Sequence, residues 1–436
     1  MPGTSLLYRS AVRLARLAAP AAAALDSKFR RGHEGRVEAT ARLEAWARAH
    51  RDTARPLVWF HAPSVGEGLQ ADAVLRRLRR LHPDWQLAYT HFSPSAEGLA
   101  GRLDVDVADY LPYDTPSAAT ALLDALRPDA LVFSKLDLWP ELACQAAARG
   151  VPVALIAATV RPGSGRLRWP ARTLLAPGYR AVAAAAAVAA EDADRLAVLG
   201  VTRERITVAG DPRFDSVLER VSAVAPDDPL LRFGAGGAAL VAGSTWPGDE
   251  EVLIAAFARL SVRRPAARLI LVPHEPTSDH LAAIERQAAQ HGAPHPVRLS
   301  AAQDAVPLLV VDKVGVLAAL YGAGKIGYVG GGFHSVGLHS VLEPAAWGCP
   351  VLFGPRWKES RDAGLLLAGG GAVALEELGT TETVEELCET WEQWLADERE
   401  RSGRGARALA VVRAGAGAAD RTAALVERLV VEARAR

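Results

Sequence analysis

From Pro56 onward, short apolar runs of β-forming residues alternate with longer stretches of helical periodicity. This is the pattern of a parallel sheet covered by helices on both faces. Leu57–His61 (LVWFH) predicts the first strand, followed by a turn and a helix to about His82. Further strands are predicted at 86–90, Ala130–Ser134 and 153–156, with helices over 117–126 and 140–149 between them. The alanine-rich run 181–190 is apolar and predicted to be buried. A second series opens at 238–242 and continues through 269–272, 308–311, Ile326–Val329 and Val351–Phe353. The stretch 222–237, with Pro226, Pro229, Asp227, Asp228 and several glycines, reads as the linker. The prediction is therefore an α/β protein of two Rossmann-like domains, 1–222 and 238–436, with parallel sheets facing each other across a cleft. Open sheets of this class take ligands at their carboxyl ends. A length of 436 residues also suits two cores better than one.

Composition narrows the function. Lys+Arg and Asp+Glu both number 50, so the formal net charge is zero and a general nucleic-acid binder is disfavoured. The cysteines Cys144, Cys349 and Cys388 are widely separated, form no metal-type pair, and suit a reducing compartment without disulfides. Cys144 and Cys349 sit in apolar runs and are predicted to pack as small hydrophobes. No stretch is long and apolar enough to span a membrane. In the first 25 residues, however, Leu7, Ala11, Leu14 and Ala18 share one helical face, while Arg9, Arg13 and Arg16 share the opposite one, and Lys28, Arg30 and Arg31 follow. Such a helix either lies on an anionic membrane surface or packs on its domain with a solvated basic face. The arginines interrupt any signal-peptide core.

Three turns carry candidate chemistry. In His61-Ala62-Pro63-Ser64-Val65-Gly66-Glu67, a strand ends and Glu67 falls in the first turn of the next helix. Any acid there complements the helix dipole. Ser64 or Gly66 suffices as a cap, though, and a carboxylate at a strand's carboxyl end stands where a general base belongs. Ala242-Gly243-Ser244-Thr245-Trp246-Pro247 repeats the design, with the Ser244 and Thr245 hydroxyls beside a helix N-terminus as an anion site. Val329-Gly330-Gly331-Gly332-Phe333 is a glycine-rich strand exit that lets a phosphate or sugar approach the backbone. A short helix is predicted over 338–347, which would place His339 and Glu343 on one face, with Glu343 able to accept from both ribose hydroxyls. An ordinary helix surface carries the same spacing.

Three other patterns are set aside. Gly322-Ala323-Gly324-Lys325-Ile326-Gly327 fits a dinucleotide fingerprint, but the helix precedes it and the strand follows. Asp104-Val105-Asp106 fits a metal-binding D-x-D but has no evident site around it. Gly324-Lys325 lacks a phosphate-loop partner, because position 319 is alanine.

Taken together, HAPSVGE (61–67), KLDLWP (135–140), GDPRFD (210–215), VPHE (272–275) and the run YVGGGFHSVGLHSVLEPAAWGCPVLFGP (328–355) resemble, in order and spacing, the signatures of the bacterial Kdo transferases. The resemblance spans residues 6 to about 373. It implies a GT-B fold and an inverting transfer of Kdo from CMP-Kdo to a lipid A precursor, without a bound metal or other cofactor. It implies Glu67 as general base and Asp137 as a second catalytic candidate. Donor contacts would come from Ser244, Thr245, His274, Gly331, Gly332, His339 and Glu343. Ser64, Lys135 and Arg213 would serve the acceptor or the sugar carboxylate. The basic first helix then resembles the family's membrane-facing start, with the enzyme at the cytoplasmic face of the inner membrane. Many members carry an acid at position 135, an arginine at 274 and an asparagine at 340, where this chain has Lys135, His274 and Ser340. Rival readings are a GT-B enzyme using a UDP-sugar, a nucleotide-sugar epimerase, and an inactive membrane scaffold.

Overall fold

A computed structural model describes residues 3–236, 239–335, 337–377 and 379–436. The predicted strand start Ala238 and linker end Gly237 lie outside the described residues, as does Val336 within the glycine-rich run. The chain forms two compact units, Met1–Ser216 with Ala416–Arg436, and Val217–Gly415.

The first unit is built on strands β1 (Leu57–His61), β2 (Gln86–His91), β3 (Val107–Tyr110), β4 (Ala130–Ser134), β5 (Val153–Ala158), β6 (Val182–Ala187) and β7 (Ile206–Val208). They form one sheet in the order β3-β2-β1-β4-β5-β6-β7. Every pairing is parallel. The central strands are buried along their whole length, which is why they read as unbroken apolar runs. The alanine-rich run resolves into buried β6 and the start of a helix.

Strand order reverses between β1 and β4, so the loops after these two neighbouring strands diverge. Ligands are taken at such a switch point. Glu67 follows β1, and Lys135 and Asp137 follow β4.

The last helix, Ala418–Arg434, belongs to this unit and not with the residues expected to accompany it. Its Ala423, Val426, Leu429 and Val430 share a core with Val74 and Leu78 of helix Val65–Leu81. The carboxylate of Asp215 accepts the Gly417 N–H at 2.6 Å and the Ala419 N–H at 2.8 Å, capping that helix from 200 residues away. No sequence periodicity reports a cap supplied at such a distance.

The first helix, Leu6–Leu25, is anchored through Arg9, which pairs with Glu141 at 2.9 Å, and Tyr8, which donates to Asp114 at 2.7 Å. Arg9 therefore faces the protein, a correction to the expected basic face, whereas Arg13 and Arg16 are exposed. Leu6, Leu7, Leu14, Leu17 and Leu25 are exposed as well. Among the described residues no helix is long and apolar enough to cross a membrane. All three cysteines are buried and unpaired.

The second unit carries β8 (Ala239–Thr245), β9 (Arg268–Pro273), β10 (Val297–Arg298), β11 (Leu308–Val310), β12 (Ile326–Val329), β13 (Val351–Phe353) and β14 (Ala372–Ala374). They form a second parallel sheet in the order β10-β11-β9-β8-β12-β13-β14. Its switch point lies between β8 and β12, the strands that lead into the Ser244 turn and the glycine-rich exit.

The stretch read as a linker is partly built into this unit. Phe233 is buried, and a side chain at Gly234 would meet the Ala323 carbonyl oxygen at 1.9 Å. The predicted helix over 338–347 shrinks to Leu342–Ala346. The His339 amide donates to the Gly330 carbonyl at 3.1 Å, which holds it in the preceding loop. His339 and Glu343 therefore do not share a helix face.

Candidate active site

In the first unit Ser64 opens helix Val65–Leu81, but its hydroxyl makes no cap bond and instead donates to the carboxylate of Glu67. The other carboxylate oxygen receives Lys135 Nζ at 2.8 Å. Ser134 Oγ donates to the Glu67 backbone carbonyl at 3.0 Å, tying the end of β4 to the first turn of the helix. Lys135 has φ 62°, a left-handed conformation that costs a side-chain-bearing residue free energy, and its amide is held by the Ile156 carbonyl at 2.7 Å. The switch point thus brings Ser64, Glu67 and Lys135 together. Burial works to raise the Glu67 pKa, but hydrogen bonds from Lys135 and Ser64 outweigh it and hold the carboxyl below its ordinary range. Glu67 is ionised and able to accept a proton.

Asp137 stands apart from this cluster, with neighbours His61 Nε2 and the Arg166 guanidinium, each at 3.5 Å. Trp139 Nε1 donates toward His61 Nε2 at 3.1 Å. On its other side His61 Nδ1 faces Thr90 Oγ1 at 3.1 Å. Arg166 is the cation beside Asp137. Neither His61, Trp139 nor Arg166 was assigned a role from sequence, since nothing linear links positions 61, 139 and 166 to Asp137 as side-chain neighbours.

Arg213 is paired within its own unit. Its guanidinium is engaged by Asp211 at 2.9 and 2.7 Å, and Asp211 also accepts from Gln70 at 3.1 Å. With Asp215 capping the last helix, the GDPRFD segment acts mainly as a bracket around helix Val65–Leu81.

In the second unit Ser244 has φ 54° at a register break in β8. A side chain at Gly330 would meet the Ser244 carbonyl oxygen at 2.3 Å, so this strand exit requires glycine. Asp249, in the first turn of the following helix, is fully buried and joins the two turns. It accepts the Trp246 amide at 3.0 Å, the Gly331 amide at 2.8 Å and the Tyr328 hydroxyl at 2.9 Å. Gly331, at φ 93°, and Gly332 are thereby fixed against the start of helix Pro247–Arg263.

Thr245 does not offer its hydroxyl to a ligand as expected. It is fully buried and donates to Glu250 at 2.8 Å. Glu250 in turn contacts His280 at 2.8 Å.

Around Trp246 gather three imidazoles. His334 stacks on it with ring centroids 4.1 Å apart, His274 lies at 4.9 Å, and His339 Nε2 accepts the indole N–H at 3.0 Å. Burial, reinforced by the other two histidines, lowers the His339 pKa to about 4, so this ring is neutral near pH 7. Trp246 and His334 escaped sequence reading because nothing linear links positions 246 and 334. Glu343 is engaged by Arg220 at 2.8 Å, and burial outweighs that pairing to hold its pKa above the ordinary range. Ser340 is exposed. Among the described residues no group of three or more His, Cys, Asp or Glu side chains is placed to hold a metal ion.

Comparison with known proteins adds the chemistry. Residues 37–216 match the family model for 3-deoxy-D-manno-octulosonic-acid transferase (kdotransferase). The 3-deoxy-D-manno-octulosonic acid transferase of Bordetella pertussis is 29% identical over 371 residues, 80% of this chain and 83% of that protein. The protein of the same name from Aquifex aeolicus is 28% identical over 338 residues, covering 76% and 85%. Among solved structures, UDP-GlcNAc 2-epimerase from Neisseria meningitidis superposes with a TM-score of 0.57 at 13% identity, over 80% of this chain and 94% of that one. A glycosyltransferase from Rickettsia africae gives 0.56 at 10% identity, over 86% and 97%. At such low identity these likenesses establish the GT-B fold and nothing about substrate. The sequence relatives bear on the chemistry: the chain is a glycosyltransferase, similar to 3-deoxy-D-manno-octulosonic acid (Kdo) transferases over most of its length.

Proposed function

We propose that the protein transfers Kdo from CMP-Kdo to a lipid A precursor with inversion and without a bound metal. The observation that carries this reading is the Glu67 carboxylate, held ionised by Lys135 and Ser64 at the switch point of the first sheet. Glu67 removes the proton from an acceptor hydroxyl as that oxygen bonds to the anomeric carbon. The bond from that carbon to the phosphate oxygen breaks, and CMP departs with the electron pair. The departing monophosphate is stabilised by the second unit's turns, where the N-terminus of helix Pro247–Arg263 favours negative charge. His274, His339, Gly331 and Gly332 line the same turns and are the proposed donor contacts, with Ser244 beside them. Asp137 with Arg166 is proposed to orient the acceptor.

The first helix is proposed to lie on the anionic cytoplasmic surface of the inner membrane. Leu6 is 79% exposed, Leu17 77% and Leu25 90%, and the exposed Arg13 and Arg16 border that apolar arc.

The deciding assay follows CMP release from CMP-Kdo with a lipid A precursor. Glu67→Gln is expected to lose turnover by roughly a hundredfold or more, the scale of a general base, while CMP still raises the thermal midpoint. Near-normal turnover by that variant would eliminate Glu67 as the base. Stabilisation by UDP in place of CMP would eliminate the donor assignment.

A further inference from the structure

The segment that leaves β5 carries a concentration of positive charge. Residues 161–180 contain five arginines, Arg161, Arg166, Arg168, Arg172 and Arg180, and no acid, in a protein whose formal net charge is zero. At its tip Trp169 is 81% exposed. A tryptophan left in water forgoes a large apolar burial that packing would normally recover. Its neighbours Arg168 and Arg172 are exposed too, and among the described residues neither side chain has a hydrogen-bond or ion-pair partner.

The segment is nonetheless firmly seated at its base. Arg166 contacts Asp137 at 3.5 Å, and Tyr179 donates to the Leu136 carbonyl at 3.4 Å. A side chain at Gly178 would meet Leu138 at 2.4 Å and the Pro140 backbone at 2.9 Å, so the following helix, Ala171–Ala181, lies tight against the start of helix Pro140–Ala148. The first helix is pinned to that same start through Arg9 and Glu141. The Trp169 segment and the first helix are therefore both seated on one helix, the one that follows the carboxyl end of β4 with Lys135 and Asp137.

We infer that the segment Arg161–Arg172 is a second lipid-facing element, which docks on an anionic phospholipid bilayer. Trp169 enters the headgroup layer, where a ring with one polar N–H edge is at home. Arg168 and Arg172 pair with lipid phosphates, and guanidinium suits those in planar, two-bond geometry. Held at two places, the first unit presents its catalytic edge to the plane from which a lipid acceptor must be taken. That purpose rests on the lipid-acceptor reading, but the docking itself does not, so the two can fail separately.

The test is co-sedimentation of the full chain with vesicles of phosphatidylcholine alone and of phosphatidylcholine with phosphatidylglycerol. The wild type is expected to prefer the anionic vesicles, and the preference should weaken with salt. Arg168→Gln with Arg172→Gln is expected to weaken partitioning about 25-fold, from about fivefold (roughly 1 kcal/mol) per basic residue at such a surface. Brominated lipids should quench wild-type fluorescence more than that of Trp169→Phe. Because all three side chains are exposed, the thermal midpoints should not change, and Leu14→Ser with Leu17→Ser gives the loss due to the first helix alone. Wild-type partitioning of the double arginine variant, or equal quenching with and without Trp169, would overturn the inference. So would unchanged vesicle binding combined with a raised KM for the lipid acceptor, because the arginines would then read the acceptor and not the bilayer.

Discussion

Replacing Lys135 by methionine isolates what the ion pair does for Glu67. Methionine keeps the length of the stem and the same left-handed backbone demand, so the substitution removes the charge without adding strain. An opposite charge in hydrogen-bonding contact lowers a carboxyl pKa by about one to three units. The Lys135 side chain is 46% exposed while that of Glu67 is 15% exposed, so water screens the lysine and its share falls at the low end of that range. With Lys135 gone, burial is opposed only by the Ser64 and backbone hydrogen bonds, and the Glu67 carboxyl moves upward.

The acid limb of the kcat/KM profile, followed by CMP release, should therefore move upward in pH. Turnover near pH 7 should change little, and turnover near pH 5 should fall severalfold. Stability should shift in the matching sense. In the wild type the depressed Glu67 contributes stability above its unfolded pKa, which is lost as pH falls through the lower folded value. In the variant that contribution shrinks, so the loss of stability on acidification through this window should be smaller than in the wild type. An acid limb that stays in place while the KM for donor rises would refute this reasoning and return Lys135 to binding the sugar carboxylate.

The second unit offers two further checks. His339 has a folded pKa of about 4 against an ordinary 6.5, so the wild type should lose stability as pH falls from 6.5 toward 4. His339→Gln keeps an acceptor for the Trp246 N–H and should flatten that dependence, whereas identical midpoint-versus-pH curves would exclude His339 as the titrating group. Asp249→Ala leaves the Trp246 and Gly331 amides and the Tyr328 hydroxyl without their acceptor. The expected cost is about 2–4 kcal/mol, read as a fall in thermal midpoint of roughly 5–15 °C together with weakened CMP binding. An unchanged midpoint would mean the two turns do not depend on that carboxylate.

Much of this was legible in the chain itself. Apolar runs fully buried on both faces, such as Leu57–His61 and Ala130–Ser134, announce their strands, because a covered parallel sheet leaves no position for alternation. Glycine at 330 and the acid after HAPSVG mark the two turns for local reasons, backbone closeness and position at a strand's end. Short edge strands such as β3, β7, β10 and β14 were missed because their few residues are only partly buried and carry no lasting pattern.

What tertiary structure alone decided is the partnership of remote side chains. It set Lys135 on Glu67, released the Ser64 hydroxyl from capping, closed Asp249 over two strand exits, and gathered His334 and His339 onto Trp246. It also assigned the Thr245, Arg213 and Glu343 side chains to protein neighbours, and returned the last helix to the first unit under an Asp215 cap. Hydrophobic periodicity reports which face of an element is buried, since burial is a property of each segment against its surroundings. The identity of a hydrogen-bond or charge partner is a property of two segments at once, and it exists only when the sheet order brings β1 beside β4 and β8 beside β12.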